Sequence, residues 1–284
     1  MSMKITLDNL KIDCGYVERR ITDFIKEYFE KTGIGRAVLG LSGGVDSATV
    51  AYLTVKALGN SRVKVLIMPD SSVTPSKDIE DAINLAKLLA VDSYTIDIAN
   101  IVREYTKTPF YQEEQKVALG NLRARIRMTL LYYYANANNA IVVGTGDKSE
   151  ILIGYFTKYG DGAVDILPIG DLYKTQVRQL ALHLGVPREI ALKPSSPALW
   201  PGQTAEKELG VSYDEIDLVL YALFDKRIPI QDISNATGVE EEKIKIILER
   251  ISSSAHKRRM PPIPKVSART IGLDLRLPQF FKFD

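Results

Sequence analysis

The 284-residue chain is long enough to bury a substantial core, and its 45% hydrophobic and 25% charged residues are typical of globular proteins rather than of disordered or fibrous ones. Its 37 basic and 35 acidic residues leave a net charge of +2, so no global charge attracts it to nucleic acid or to an anionic membrane. Cys14 is the only cysteine, which excludes an intrachain disulfide and a multi-cysteine zinc site.

The opening residues have the composition of a mature protein rather than of a targeting segment. They include Lys4 and Asp8 and lack the apolar core of a signal peptide. No apolar run in the chain approaches the length of a membrane span. Because a single thiol also suits a reducing compartment, we expect a cytoplasmic protein without a membrane partner.

Helical and strand-like patterns alternate along the first half of the chain. Apolar residues at three- and four-residue spacing predict helices over residues 16–29, 47–58, 76–90, 113–136, 174–184, 213–224 and 240–254. Short apolar runs predict strands over residues 37–41, 63–68, 94–98 and 140–144. This order predicts an α/β fold with three layers, in which a parallel twisted sheet carries helices on both faces. Ligands of such sheets bind beyond the carboxyl ends of the strands.

The regular pattern weakens after Gly154. Residues 195–210 are rich in proline and follow no clear period, so we expect a mobile loop that closes over substrate. Residues 259–284 form a tail interrupted by prolines. The chain contains no internal repeat, and we expect residues 1–284 to form a single domain with this loop and tail as appendages.

The turn after the first strand carries the clearest chemistry. Ser42-Gly43-Gly44-Val45-Asp46-Ser47 joins the strand to a helix, where backbone N–H groups bind anions. It lacks the lysine of a Walker loop and has Asp46 instead. Asp46 can hold Mg²⁺ against a polyphosphate, while the hydroxyls of Ser42 and Ser47 can donate hydrogen bonds to it. The turn therefore predicts a site for nucleotide phosphates.

A second polar turn, at residues 144–150, follows the fourth strand. Thr145 is there either a helix N-cap or a nucleotide contact. Glu150 is either an acid favoured by the helix macrodipole or a second magnesium ligand. Because both turns lie at the same edge of the sheet, we expect Glu150 and Asp46 to converge on one Mg²⁺ site.

Two sets of residues resemble known families. The sequence from Ser42 to Ser47 resembles the signature of the ATP pyrophosphatases, a family that splits ATP between its α and β phosphates and adenylates an oxygen. A larger set of segments, which spans most of the chain, is similar to the NAD synthetases. It consists of Gly154-Tyr155-Phe156-Thr157-Lys158-Tyr159-Gly160-Asp161-Gly162, Asp165-Ile166-Leu167-Pro168 and Ser254-Ala255-His256-Lys257-Arg258-Arg259.

This resemblance implies a reaction and its partners. Mg·ATP would adenylate the carboxylate of nicotinic acid adenine dinucleotide and release pyrophosphate, and ammonia would then displace AMP to give NAD⁺. Larger relatives obtain ammonia from an attached glutamine-hydrolysing domain. No room for that domain precedes the first helix and Cys14 lies in a short lead segment, so we expect free ammonia, or ammonia from a separate protein, as donor. The resemblance also implies a homodimer.

The resemblance further implies roles for individual residues. The implied catalytic residues are Asp46, Glu150 and Lys174, with Asp46 and Glu150 as magnesium ligands. The implied ATP-binding residues are Gly40, Leu41, Ser42, Gly43, Gly44, Val45, Asp46, Ser47, Thr145, Lys174 and Ser196. The implied contacts to the dinucleotide are Arg125, Lys158, Asp165, His256 and Lys257. The family commonly has threonine in place of Ser196, and a helix C-terminal cation is the alternative role for His256.

One departure concerns adenine recognition. Several family members carry an arginine that contacts ATP just before the proline after the second strand, where this chain has Met68. We therefore expect backbone groups of that strand and apolar packing to recognise adenine. Arg123 and Arg127 share a helical face while Arg125 projects elsewhere. For Arg123 and Arg127, solvated helix charges are as good an interpretation as substrate contacts.

Two alternatives involve nucleic acid. A tRNA-modifying ATP pyrophosphatase would show a strongly basic face or paired cysteines, and this chain has neither in its composition. Residues 229–240 have the rhythm of a helix-turn-helix, but the following helix begins with Glu240-Glu241-Glu242, and acidic residues are unsuited to a groove lined by phosphates. We expect no nucleic-acid partner.

Overall fold

Four parallel strands form the sheet in the computed structural model, which describes residues 4–200, 202–275 and 280. The strands are β1 (Arg36–Gly40), β2 (Val63–Ile67), β3 (Asp92–Thr95) and β4 (Ala140–Val142), and their order across the sheet is β3-β2-β1-β4. Ala37 of β1 lies opposite Val63 on one side and Ile141 on the other. The predicted parallel sheet is thereby confirmed, and the loops after β1, β2 and β4 leave from one edge.

Helices connect the strands and continue beyond the sheet. They are α1 (Cys14–Thr32), α2 (Val45–Leu58), α3 (Ser76–Leu88), α4 (Ala99–Tyr105), α5 (Lys116–Asn138), α6 (Lys148–Ile153), α7 (Lys174–Leu184), α8 (Arg188–Ala191), α9 (Ala205–Leu209), α10 (Tyr213–Leu220), α11 (Ile233–Thr237) and α12 (Glu241–Ser253). A π-helical turn extends α10 over Tyr221–Asp225. None of the helices within the described ranges combines the length and apolar character needed to cross a membrane.

Local chemistry explains most of the helix ends. The side chain of Asp13 accepts a hydrogen bond from the Tyr16 amide and caps α1, which therefore begins before the predicted residue 16. Gly33 ends α1 in the left-handed conformation. Helix α4 was not predicted, because seven residues are too few to show a helical period. The segment 195–210 was expected to be a loop, but Ala205–Leu209 near its end form helix α9.

The two faces of the sheet are buried by different helices. Leu39 of β1 points into a core formed with α1, α2 and α7, and the neighbouring Val38 points into a second core formed with α4 and α5. This alternation is the period of a strand buried on both sides. Each fully buried aliphatic side chain stabilises the fold by about 1.5–3 kcal/mol relative to exposure. The sheet is thus a rigid platform for the loops at its carboxyl edge.

A third apolar cluster contains no strand of the sheet and is formed mainly by helices. Tyr213, Ile216 and Val219 of α10 pack there with residues from α9, α11 and α12. Residues 229–240, the segment with the rhythm of a helix-turn-helix, belong to this cluster, where Ile233 and Val239 are buried. The cluster supports α6 and the start of α7, the two helices that carry the predicted acidic and basic catalytic residues.

Candidate active site

The predicted phosphate loop connects β1 to α2 and is held by its own serines. The Ser47 hydroxyl accepts a hydrogen bond from the Ser42 amide at 3.2 Å and donates one to the Gly44 carbonyl at 3.1 Å. The Ser42 hydroxyl lies 3.0 Å from that of Ser47. These contacts bend the chain so that α2 begins at Val45 with free N–H groups at its first turn. Such a turn can bind the oxygens of a phosphate.

Gly43 is required by the geometry of this loop. Its φ of 78° is left-handed, and a Cβ atom built there would lie 2.4 Å from the Asp78 carbonyl oxygen of α3. Lys193 joins this loop to α3. Its Nζ donates to the Gly43 carbonyl at 3.1 Å and to the Asp78 and Asp81 carboxylates at 2.8 and 2.6 Å. Lys193 was not predicted, since nothing in its local sequence indicates partners so far away in the chain.

Three carboxylates converge on one lysine beside the loop, and we call this group the Lys174 cluster. The fully buried Nζ of Lys174 lies 2.6 Å from Asp46 Oδ2, 2.8 Å from Glu150 Oε1 and 3.0 Å from Asp147 Oδ2. Asp46 and Glu150 lie close together, on the first turns of α2 and α6, as predicted. Asp147 was absent from the predicted set. Its side chain also caps α6 by accepting a hydrogen bond from the Glu150 amide.

Three carboxyl groups surround a single ammonium group in the Lys174 cluster. Burial raises the pKa of Glu150 well above its usual value, with Asp147 and Asp46 adding to the effect and Lys174 opposing it. Burial likewise raises the pKa of Asp147. Burial disfavours the Lys174 charge, but the three carboxylates outweigh it and hold the pKa of Lys174 well above its usual value. The Oδ1 atom of Asp46 is buried without a hydrogen-bond partner. The cluster therefore has the charge and a free oxygen to accept another cation.

The cluster is positioned by a buried carboxylate of the helical layer. Asp217 of α10 accepts hydrogen bonds from the Ser149 hydroxyl and from the Thr175 amide, the latter at 2.8 Å. The Ser149 hydroxyl in turn accepts a hydrogen bond from the Lys174 amide at 3.0 Å. Asp217 thus links α6 and α7 on either side of Glu150 and Lys174. Tyr213 completes the surroundings, with its ring centroid 5.1 Å from Lys174 Nζ.

A cavity of about 440 Å³ opens at the carboxyl ends of β1, β2 and β4, next to the Lys174 cluster. Of the predicted ATP-binding residues, those that line it are Gly40, Leu41, Ser42, Gly44, Val45, Ser47, Thr145 and Ser196. Gly43, Asp46 and Lys174 are not among the lining residues. The apolar wall includes Leu66 and Met68, which lie where we expected the adenine to be recognised. The size suits a nucleotide.

The residues predicted to contact the dinucleotide are spread over four places. Lys257 lines the cavity, and its Nζ donates to the carbonyls of Gly154 and Phe156, each at 2.7 Å. Arg125 is exposed on α5 and donates to the carbonyl of Lys158 at 3.2 Å.

The remaining two predicted contacts lie away from the nucleotide cavity. Asp165 lines a second cavity of about 400 Å³ and accepts hydrogen bonds from the Tyr132 hydroxyl at 3.0 Å and the Val142 amide at 2.8 Å. His256 is exposed in a short 3₁₀ turn after α12. Of the residues predicted to contact the dinucleotide, the structure therefore places only Lys257 in the same cavity as the predicted phosphate loop.

The interpretation of Arg123 and Arg127 as solvated helix charges is wrong. Arg123 is buried and forms an ion pair with the buried Asp70 at 2.6 Å, and its Nη1 donates to the Leu199 carbonyl in the 195–210 segment at 3.0 Å. Arg127 lines the nucleotide cavity. Helical periodicity correctly placed the two on one face, but it does not reveal that this face meets the end of β2.

Comparisons with known proteins agree with this geometry. A family model described as NAD synthase matches residues 17–261. The chain belongs to the NAD synthase family. Over 268 residues it is 58% identical to the NH(3)-dependent NAD(+) synthetase of Hyperthermus butylicus, with 94% of this chain and 96% of the relative covered. Both the family resemblance and the fold predicted from the sequence are thereby confirmed.

Solved structures of this family have the same architecture. NMN synthetase from Francisella tularensis superposes with a TM-score of 0.79 at 35% identity, over 90% of this chain and all of that one. The NH3-dependent NAD synthetase from Campylobacter jejuni superposes with a TM-score of 0.75 at 32% identity, over 90% of this chain and 100% of that chain.

Proposed function

We propose that this protein makes NAD⁺ by amidating the carboxylate of nicotinic acid adenine dinucleotide with ammonia, at the expense of ATP, which becomes AMP and pyrophosphate. The observation that carries the proposal is the Lys174 cluster beside a serine- and glycine-rich phosphate loop, in a chain of the NAD synthase family. The name of the Hyperthermus butylicus relative, which is similar over nearly all of both chains, supports ammonia as the nitrogen donor.

The reaction needs activation because a carboxylate does not accept ammonia until one of its oxygens can leave. A carboxylate oxygen attacks the α-phosphorus of ATP, the bond from that phosphorus to the bridging oxygen breaks, and pyrophosphate departs. Ammonia then attacks the acyl carbon, AMP departs with the former carboxylate oxygen, and a proton is released to solvent. In this scheme the loop from Gly40 to Ser47 binds the phosphates, while the Lys174 ammonium stabilises negative charge beside Asp46 and Glu150.

The residues present fit a magnesium ion held by Asp46 and Glu150. The unpartnered Oδ1 of Asp46 and the excess of carboxylates over ammonium groups favour a divalent cation. Within residues 4–200 and 202–275, no three or more His, Cys, Asp or Glu side chains are grouped so as to hold a metal by themselves. Mg²⁺ takes one or two carboxylates and completes its shell with phosphate oxygens and water. When bound, the ion neutralises charge on the triphosphate.

We assign the far part of the dinucleotide to Arg125, Lys158, Asp165 and His256, with Lys257 at the cavity wall. The first four of these residues lie outside the nucleotide cavity. A second copy of the chain would have to cover them, and we therefore propose a homodimer. Exposed apolar residues on α5 support this, for the side chain of Tyr133 is 75% exposed. We also propose a cytoplasmic location, in keeping with the free thiol of Cys14.

Cys14 gives no support to glutamine as nitrogen donor. It begins α1, packs against the core of the sheet and lies away from both cavities. Burial raises the pKa of its thiol, with the charge of Asp13 adding to the effect, so the reactive thiolate is disfavoured at neutral pH. The sequence offers no other cysteine nucleophile.

The test is an assay of the purified protein with Mg·ATP, two acceptors and two nitrogen donors. We expect equal amounts of AMP and NAD⁺ from nicotinic acid adenine dinucleotide with ammonium, and negligible turnover with glutamine. Nicotinic acid mononucleotide is the acceptor to compare, because NMN synthetase from Francisella tularensis is one of the similar structures. A higher kcat/KM with the mononucleotide would replace the proposed substrate, and absence of AMP with both acceptors would refute the proposed reaction.

A further inference from the structure

The basic residues that line the nucleotide cavity differ in how they are neutralised. They are Arg127, Lys193, Arg250 and Lys257. Lys193 is paired with the carboxylates of Asp78 and Asp81. Arg250 and Lys257 donate only to backbone carbonyls. In the described part of the chain Arg127 also makes one side-chain hydrogen bond, from its Nε to the Met68 carbonyl at 2.9 Å, so that both of its terminal nitrogens lack a hydrogen-bond partner, whereas the one bond of Arg250 uses a terminal nitrogen.

The hydrogen bond from Arg127 to Met68 holds the guanidinium group near the end of β2. Met68 is the first residue after β2, so the bond anchors the guanidinium at the carboxyl end of that strand, where the cavity opens. In the described part of the chain the two terminal nitrogens of this guanidinium make no hydrogen bond, and Arg127 lines the cavity. A guanidinium anchored through Nε and open at its other nitrogens has the geometry of a fork that binds two oxygens of one phosphate or carboxylate.

The carboxylates near Arg127 are already occupied by other groups. Asp70 is paired with Arg123 at 2.6 Å, one helical turn before Arg127, and its second oxygen accepts hydrogen bonds from the amide and hydroxyl of Ser72. Asp161 accepts a hydrogen bond from the Thr157 amide at 2.9 Å. Neither of them forms an ion pair with Arg127.

The positive charge of Arg127 is therefore energetically unfavourable in the protein without a ligand. Burial lowers the pKa of its guanidinium to about 10, with Arg123 adding to the effect and Asp70 and Asp161 opposing it, so the group stays charged at neutral pH. A half-buried cation without a counter-ion is unfavourable unless a ligand supplies the opposite charge. The predicted phosphate loop lines the same cavity, so on the proposed function the phosphates and the reacting carboxylate bind in this space.

We propose that Arg127 is a substrate-binding residue whose guanidinium takes a pair of anionic oxygens from one of the two reactants, a phosphate or the carboxylate that is amidated. The identity of these reactants rests on the proposed function. The role of the Met68 bond is then to orient the guanidinium, and the Arg123–Asp70 pair keeps a neighbouring carboxylate from neutralising it.

The experiment compares Arg127→Gln and Arg127→Lys with Lys116→Gln, a control on the same helix whose side chain is exposed and does not line the cavity. Dissociation constants are measured by calorimetry, without ammonium, for ATP, nicotinic acid adenine dinucleotide and NAD⁺. We expect Arg127→Gln to raise the dissociation constants of some of these ligands by roughly tenfold to a hundredfold, and Arg127→Lys to raise those of the same ligands less. Lys116→Gln should have the dissociation constants of the native protein.

The ligands that bind more weakly to Arg127→Gln identify the anionic group that Arg127 contacts. Weaker binding of ATP alone indicates a phosphate of ATP, and weaker binding of both dinucleotides indicates their phosphates. Weaker binding of the acid dinucleotide alone, with NAD⁺ unchanged, indicates the carboxylate.

Equal weakening of all three ligands would mean that Arg127 only maintains the fold, and unchanged binding of all three would mean that it contacts no ligand. Either outcome overturns the proposal. Failure of the proposed function is seen separately, as absence of AMP and NAD⁺ formation by the native protein.

Discussion

The two sides of the nucleotide cavity differ in their charge balance. On the side of α6 and α7, three carboxyl groups share the single ammonium of Lys174. On the side of β2 and α5, Arg127 lines the cavity and forms no ion pair with a carboxylate. A cation bound beside the carboxyl groups and an anion bound beside Arg127 would each find a group of opposite charge there. The comparison indicates that a cation joins one side and an anion joins the other.

Removing a carboxylate from the acidic side should have the largest effect. We expect Asp46→Asn and Glu150→Gln each to lower the rate of AMP formation by roughly a thousandfold, because each removes a magnesium ligand where charge develops on the phosphates. The change Asp92→Asn, at an exposed carboxylate of β3, is the matched control and should leave the rate unchanged. A loss of less than about tenfold in both variants would contradict the metal assignment.

The Arg123–Asp70 pair, which shields Arg127 from Asp70, is the next test. Arg123→Met leaves the buried Asp70 without its cation and should lower the free energy of unfolding by about 3–5 kcal/mol. Lys107→Met removes an exposed pair with Glu104 and should cost less than about 1 kcal/mol. Chemical denaturation measures both. If the two variants lose the same stability, Arg123 does not have the structural role assigned to it.

The helical support of the acidic side should depend on pH. Burial raises the pKa of Asp217 to about 7, against the lowering effect of hydrogen bonds from Ser149 and Thr175. Because this folded-state pKa lies above the unfolded value, the folded protein binds the proton more tightly between these values. The stabilisation is complete below about pH 4 and is lost as pH rises toward 7.

The variant Asp217→Asn should lack this part of the pH dependence. Between pH 4 and 7 we expect the native protein to lose about 1–3 kcal/mol more stability than the variant, measured by urea unfolding at several pH values. Parallel curves for the two proteins would show that Asp217 does not titrate in this range.

The smallest expected effect concerns the second cavity. Tyr132→Phe removes the hydroxyl that donates to Asp165 and should lower stability by about 1 kcal/mol. If Asp165 contacts the dinucleotide, the KM for that substrate should also rise a few-fold while the KM for ATP stays constant. A change in the KM for ATP instead would mean that the two cavities do not bind separate parts of the substrates.

The parts of the fold with strong local signals were predictable. β1 and β2 are short apolar runs, and their burial on both faces follows from that pattern. The turn from Ser42 to Ser47 was predicted as a phosphate-binding loop because glycine and hydroxyl residues in this order allow backbone N–H groups to face an anion. The convergence of Asp46 and Glu150 followed from parallel strands, whose carboxyl ends meet at one edge.

What escaped prediction depends on contacts between distant segments. Asp147 has the local signal of an N-cap, but its place beside Lys174 depends on how α6 packs against α7. The different environments of Arg123 and Arg127, two residues on one helical face, are set by Asp70 and by the carbonyl of Met68. Hydrophobic periodicity identifies a buried face but does not identify the polar groups of the element that covers it.

The most direct test of the account is the exchange of labelled pyrophosphate into ATP without ammonium. We predict that label enters ATP only when nicotinic acid adenine dinucleotide and Mg²⁺ are both present, since adenylation of the carboxylate is reversible and precedes amidation. Asp46→Asn should abolish this exchange. Exchange without the dinucleotide, or NAD⁺ formation accompanied by ADP and phosphate instead of AMP and pyrophosphate, would contradict the account.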